Sequence, residues 1–399
     1  MINWRSNYAF ALYRDTESRW SEARLILGSF LIILLVGTLF LVQPSSHNGE
    51  VTFINALFTA TSAISVTGLG VVDTGTAFTL QGQIILLMLM EIGGLGQMTM
   101  TLLLIAMFSK RVGLRQQVLA KEALGQEGSV NIIQLVKRIV LFALIAQLIG
   151  TAIMAIRWVP EMGWGHGLYV SFFHAVSAFN NAGFSLFANN LIDYRDDPFI
   201  SLTIPALLIL GGLGFTVIVD LVRNRRWRKL KLHSKLMLLM TPGLLLLGTL
   251  MFWLLEHNNP ATFGNAGPGG QLLAAFFQSA TARTAGFNTV DIGQMVPASL
   301  LFMMMLMFIG AGATSTGGGI KVTTFAVVLL ATRAFLTKRP HVTAFGRTLS
   351  PQIVTRSLAI IIVSTMVLML AMFLLMLTES QPFDKIMFET VSAFATVGL

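Results

Sequence analysis

Four stretches of this chain are copies of one pattern, and that repetition constrains the fold more tightly than anything else in the sequence. Aligned on a glycine they read FTATSAISVTGL (58–69), FHAVSAFNNAGF (173–184), FFQSATARTAGF (276–287) and FETVSAFATVGL (388–399). Each has a phenylalanine ten residues before the glycine and a leucine or phenylalanine directly after it. A second motif recurs in phase, as IGGLG at 92–96, LGGLG at 210–214 and IGAGA at 309–313. The glycines Gly68, Gly183, Gly286 and Gly398 are 115, 103 and 112 residues apart, so the unit is about 110 residues long. The divisions that follow are a segment at 1–24, repeats at 25–127, 128–230 and 231–345, and an incomplete fourth repeat at 346–399.

The units belong in a bilayer. Of 399 residues, 54% are apolar and 11% charged, against roughly a quarter charged in a soluble domain. That excludes a water-soluble globule and a nucleic-acid binder, and the absence of cysteine excludes disulfides and thiolate metal sites. Apolar runs at 25–42, 80–108, 132–157, 199–222, 236–255, 298–335 and 352–377 read as spans. No small-residue cleavage site follows the first, so it is a retained helix and not a signal peptide. Of the 27 Lys and Arg residues, 22 fall in the N-terminal segment and the turns at 110–138, 223–235 and 333–356. That side is therefore cytoplasmic, the N-terminus included. The opposite face has three basic residues (Arg157, Arg195, Lys385) and ten acids. An acidic mouth concentrates cations and repels anions. The run RNRRWRKLKLHSK (223–235) either fixes topology alone or also docks an acidic partner.

Between the spans lie short amphipathic segments such as 55–65. Eleven helical residues rise only ~16 Å, about half of a ~30 Å hydrocarbon core. Flanked by spans whose basic ends share one side, such a segment enters and leaves by the outer face. Non-helical backbone at that depth survives only against protein or a water-filled cavity, so four re-entrant loops converge on one aqueous axis. An even number of spans per unit keeps all units in one orientation, unlike an inverted repeat. The expected fold is an all-α polytopic membrane protein: four pseudo-fourfold repeats of helix, re-entrant pore loop and helix around a central ion pore, with a broken inner helix in the third repeat.

The loops suit a cation filter. Glycine reaches backbone angles that turn successive carbonyls toward one axis, and a ring of carbonyls replaces the hydration shell of a bare ion. The preceding short helix aims its negative end inward. The expected ligands are the carbonyls of Val66, Thr67 and Gly68; Asn181, Ala182 and Gly183; Thr284, Ala285 and Gly286; and Thr396, Val397 and Gly398. The alternative, tight turns that merely pack helices, suits a single glycine better than four in register.

The third inner helix is interrupted by GAGATSTGGG (310–319), followed by Ile320 and Lys321. Five glycines in ten positions, each costing about 1 kcal/mol in a helix, preclude a continuous one. Gly310, Gly312, Thr314, Ser315, Thr316, Gly317, Gly318, Gly319 and Lys321 are expected to form a movable gate under the filter, its hydroxyls bonding the pore wall or an ion; a static kink is the alternative. The glycines in the first two inner helices are expected to interrupt them far less. Lys321 either acts at that depth or snorkels to the cytoplasm. The stretch lacks the GK[ST] ending of a phosphate-binding loop. Glu91 stands beside the first Gly-Gly pair, Asp220 is expected to pair with nearby arginines, and Arg283 is expected behind the third loop, against an acid or carbonyls. No metal-ligand spacing and no Ser/His/Asp constellation points to an enzyme.

Four helix–loop–helix units, one glycine per loop and a glycine-rich break in the third inner helix resemble the Trk/Ktr/HKT potassium transporter superfamily. A single span before the first loop is similar to its Ktr-type (KtrB) membrane subunits. The resemblance implies K+ as the transported ion, taken up across a bacterial cytoplasmic (inner) membrane. In plant relatives, serine in place of the first filter glycine goes with sodium preference, so Gly68 implies potassium. It further implies Na+ as activator or coupling ion, a homodimer with one pore per subunit in membrane lipid, and a cytoplasmic KtrA-type nucleotide-binding ring, with no nucleotide or nucleic acid bound by this chain. Residues 310–319 then correspond to the family's intramembrane gating loop. The sequence stops directly after Gly398, and the natural protein is expected to continue into a final inner helix. Two other readings stay open: a sodium-conducting or poorly selective cation channel, and a non-conducting scaffold subunit.

Overall fold

The structure, a computed structural model, describes residues 27–49, 51–96, 132–313 and 315–399. The N-terminal segment, the second half of the 80–108 run, most of the basic turn at 110–138, and Thr314 of the expected gate lie outside the described residues.

The chain begins with α1 (Leu27–Leu41) and α2 (Phe53–Ile64), whose N-cap Thr52 accepts from the Asn55 N–H. A single turn at Thr74–Ala77 leads to α3 (Leu80–Gly94). Next come α4 (Ile132–Met162), α5 (Trp164–Phe179), α6 (Pro198–Gly212) and α7 (Phe215–Arg223). They are followed by α8 (Leu232–Glu256), α9 (Pro268–Thr281), α10 (Pro297–Phe308) and α11 (Val322–Leu336). A two-stranded hairpin, β1 (Thr343–Ala344) and β2 (Arg347–Thr348), precedes α12 (Pro351–Thr378) and α13 (Phe383–Phe394).

Length sorts these helices into two kinds. Stretches of 27, 25 and 28 residues in α4, α8 and α12 are long and apolar enough to cross a membrane. By contrast α2, α5, α9 and α13 have 12, 16, 14 and 12 residues, a rise of roughly 18–24 Å, and each ends at one of the four repeated glycine segments. The expected break in the third inner helix falls between α10 and α11. Much of α12 stays uncovered by protein, its exposed face lined by Ile362, Met366, Met369 and Phe373, as for a helix solvated by lipid.

One expectation is corrected. The run 199–222 is not a nearly straight span: α6 and α7 meet at 88° across Leu213 and Gly214. Gly214 sits at φ +91°, which a side-chain-bearing residue resists. The bend leaves the last carbonyls of α6 free, and other backbone takes them. The Gly312 N–H donates to Gly212 O at 2.9 Å and the Thr316 N–H to Gly211 O at 3.4 Å.

Apolar packing locks the short helices to the long ones. Trp158 of α4 is fully buried and packs against the rings of His174 of α5, Phe187 and Tyr194, tilted or edge-on, with centroids 4.9, 5.5 and 5.6 Å away. Glu256, the last residue of α8, is fully buried. It accepts from Thr262 Oγ1 and Asn259 Nδ2, both at 2.7 Å, and from the Val296 N–H at 2.9 Å.

Candidate ion site

Three of the four short helices end in the same turn. After α2, the Val66 N–H reaches Ala63 O and the Thr67 N–H reaches Ser62 O; after α5 and α13 the same pairs are Asn181–Ala178 with Ala182–Ser177, and Thr396–Ala393 with Val397–Ser392. This is the two-bond C-terminal cap that normally uses glycine in the left-handed region. Here Val66, Asn181 and Thr396 hold it at φ 56°, 58° and 52°, and Thr284 after α9 lies at 71°. A β-branched residue in that region is strained. Such strain persists where surrounding structure imposes it, commonly at functional sites. Two residues on, Gly68, Gly183, Gly286 and Gly398 lie at φ 90°, 71°, 75° and 83°.

The four glycines come together. A Cβ built on Gly68 would lie 2.6 Å from Ala182 O, and one on Gly183 2.7 Å from Ala285 O. One on Gly286 would meet Val397 O, and one on Gly398 would meet Thr67 O. Each segment thus presses its glycine against the carbonyl preceding the glycine of the next, and the fourth returns to the first. Ala182, Ala285 and Val397 are fully buried and Thr67 nearly so. The negative C-terminal ends of α2, α5, α9 and α13 converge on this cluster, a field that favours a cation.

The loop between α10 and α11 lies directly against it. The Gly310 N–H donates to Ile320 O at 3.0 Å and the Ala311 N–H to Gly318 O at 3.3 Å, closing the loop on itself. Ser315 Oγ donates to Gly312 O at 2.7 Å. Thr316 Oγ1, buried, donates to Asn181 Oδ1 at 2.9 Å. A Cβ on Gly317 would collide with Thr284 Oγ1, and one on Gly318 with Thr396 Oγ1. The loop therefore touches the second, third and fourth glycine segments with backbone that only glycine brings so close. Lys321 Nζ donates to Gly317 O at 2.6 Å; it bonds the loop and does not snorkel.

Two charged residues depart from expectation. Among the described residues Asp220 has no arginine partner: it accepts from Ser234 Oγ (2.6 Å), Asn224 Nδ2 (2.9 Å) and the Lys231 N–H (2.9 Å). Arg283 is 7% exposed. Among the described residues its Nε lacks a hydrogen-bond partner and no acid pairs with it. It lines a small cavity with Ile209, Thr241 and Ala311. Sequence reasoning also missed the grip of Glu91 on the second segment: its Oε2 accepts from Asn180 Nδ2, 89 residues away, and from Gln147 Nε2, 56 residues away.

Short helices ending in strained turns, a closed cluster of glycines and a broken helix beneath it define a polytopic membrane protein of the ion-transport type. The chain belongs to the TrkH cation transport protein family, whose sequence pattern matches residues 11–399. It is 58% identical over 387 residues to the Ktr system potassium uptake protein B of Vibrio alginolyticus, covering 96% of this chain and 85% of that one. It is 44% identical to the protein of that same description in Bacillus subtilis, over 97% of this chain and 88% of the relative. It is 39% identical to the potassium/sodium uptake protein NtpJ of Enterococcus hirae, over 97% and 87%. The crystal structure of the potassium transporter TrkH from Vibrio parahaemolyticus shares the fold, with a TM-score of 0.69 at 18% identity over 92% of this chain and 82% of that one. These relatives are transporters, not enzymes.

Proposed function

We propose that the chain is the membrane subunit of a potassium uptake system, passing K+ inward across a bacterial cytoplasmic membrane with its N-terminus in the cytoplasm. The observation that carries this is the cyclic approach of the four segments, each glycine against the next segment's carbonyl. In this reading Val66 to Gly68, Asn181 to Gly183, Thr284 to Gly286 and Thr396 to Gly398 are filter residues from four pseudo-fourfold repeats, and their carbonyls replace the water around a dehydrated K+. The potassium-uptake relatives at 58% and 44% identity support the choice of ion.

Residues 310–319 with Lys321 are the gate. Their hydrogen bonds to Asn181 and Gly211 and the Lys321 tether hold the loop beneath the filter, and breaking them opens the path. Assembly is as a homodimer with one pore per subunit, and a nucleotide-binding cytoplasmic ring of the KtrA type sets the gate through the basic cytoplasmic face.

A second reading, a pore that passes or responds to sodium as well, has one specific support: the similarity to a protein described as taking up potassium and sodium. Rubidium and sodium flux into proteoliposomes containing the full-length protein separates the two. The first reading predicts Rb+ flux well above Na+ flux, whereas equal fluxes favour the second. No flux of either ion, with or without the regulatory ring, would leave only a scaffold role.

A further inference from the structure

The second glycine segment is held differently from the others. Asn180 caps α5 immediately before Asn181 and is fully buried. Its Nδ2 donates to Glu91 Oε2 at 2.6 Å, and Gln147 Nε2 of α4 donates to that same oxygen at 2.8 Å. Glu91 lies on α3, in the first unit, so one carboxylate oxygen grips two amides of the second. The backbone is built for this approach: a Cβ on Gly94, three residues after Glu91, would lie 2.6 Å from Asn180 Cγ. Glycine at 94 is what admits Asn180 to the carboxylate.

In the other segments the corresponding bonds are local, apart from Asn190 Nδ2, which donates to Gly286 O at 3.3 Å. Ser65 Oγ meets Thr67 Oγ1 at 2.7 Å in the first, Thr281 Oγ1 donates to Phe287 O at 2.5 Å in the third, and Ser392 Oγ accepts from the N–H groups of Gly398 and Leu399 at 3.0 Å in the fourth. Among the described residues, only the second segment is anchored by a carboxylate from a neighbouring unit. The next residue, Asn181, accepts Thr316 of the loop. Adjacent residues are thus fixed from two sides, by the inner helix of the first unit and by the broken helix of the third.

We infer that Glu91 is a positioning residue for ion selection: through Asn180 it sets where the carbonyls of 181–183 point. The inference rests on those carbonyls being filter ligands. Two amides converging on one oxygen fix its geometry, and losing that acceptor leaves buried donors unpaired, which costs more than the bond itself contributes. A released segment would let its carbonyls adjust to ions of different radius, which erodes discrimination.

The test is the Rb+ to Na+ flux ratio of the full-length protein in proteoliposomes. Glu91→Leu is expected to lower it several-fold. Glu91→Gln, whose amide oxygen accepts from the same two donors, is expected to restore most of it. Asn180→Leu should match Glu91→Leu, and the double variant should be no worse than either single one, as for two halves of one contact. Gly94→Ala, which pushes Asn180 away, should reproduce the loss and carries the test if Glu91→Leu does not fold. Gly183→Ser reads the filter itself, and an unchanged ratio there defeats the filter assignment. A lowered ratio in Gly183→Ser beside an unchanged one in well-folded Glu91→Leu overturns this inference alone. So does a loss in Glu91→Gln as large as in Glu91→Leu, since charge and not the bonded geometry would then be at work.

Discussion

Thr316 Oγ1 donates to Asn181 Oδ1 at 2.9 Å, joining residues 135 apart in sequence. The pair fastens the glycine-rich break of the third inner helix to the turn ahead of the second glycine. Thr316→Val keeps the side chain's shape and removes the bond. A buried neutral hydrogen bond contributes about 1 kcal/mol, which shifts a closed-to-open equilibrium roughly fivefold. Rb+ uptake into proteoliposomes should rise by about that factor; a fall, at equal protein incorporation, would make the loop a structural brace.

Gly286 has no room for a side chain. It has φ +75° and its Cβ position lies against Val397 O. Gly286→Ser adds backbone strain of roughly 1–2 kcal/mol and pushes two segments apart. Half-saturation by Rb+ should move to higher concentration and the Rb+ to Na+ ratio should drop. Retention of both would remove residues 284–286 from the filter.

The bend between α6 and α7 depends on one backbone angle. Gly214→Ala at φ +91° should destabilise by about 1–2 kcal/mol and lower the unfolding temperature in detergent. Gly243, inside α8 with open space around it, is the contrast: Gly243→Ala should stabilise by about 0.5–1 kcal/mol. Equal shifts of the same sign would show that the left-handed angle at Gly214 is not what matters.

Glu256 is fully buried and holds three donors, from Asn259, Thr262 and Val296. Glu256→Ala removes their shared acceptor and leaves the Val296 N–H without it, at a cost on the order of 3 kcal/mol, and a scanning thermal melt should record the loss. Ion selectivity per folded molecule should be unchanged, because Glu256 touches none of the four glycine segments.

The parts of this architecture legible in the sequence are those set by local rules. Four short helices, each ending at a glycine, follow from the repeat and from segments too short to cross a bilayer. The break at 310–319 follows from glycine density alone. The 88° bend does not, because nothing local in LGGLG at 210–214 shows that Gly211 and Gly212 give their carbonyls to a loop about 100 residues downstream. Asp220 misleads for a related reason, since arginines crowd it in sequence while Ser234, Asn224 and a backbone N–H reach it in space. Glu91 shows in the sequence only as an acid beside two glycines; its purpose depends on Asn180 and Gln147, which no local pattern brings near.

The central claim is an ion held by four sets of peptide oxygens, and anomalous diffraction from crystals grown in rubidium addresses it most directly. The account predicts an anomalous peak on the axis enclosed by Gly68, Gly183, Gly286 and Gly398, diminished when sodium replaces rubidium. A fully occupied rubidium peak elsewhere in the molecule, with none among those four glycines, would contradict it.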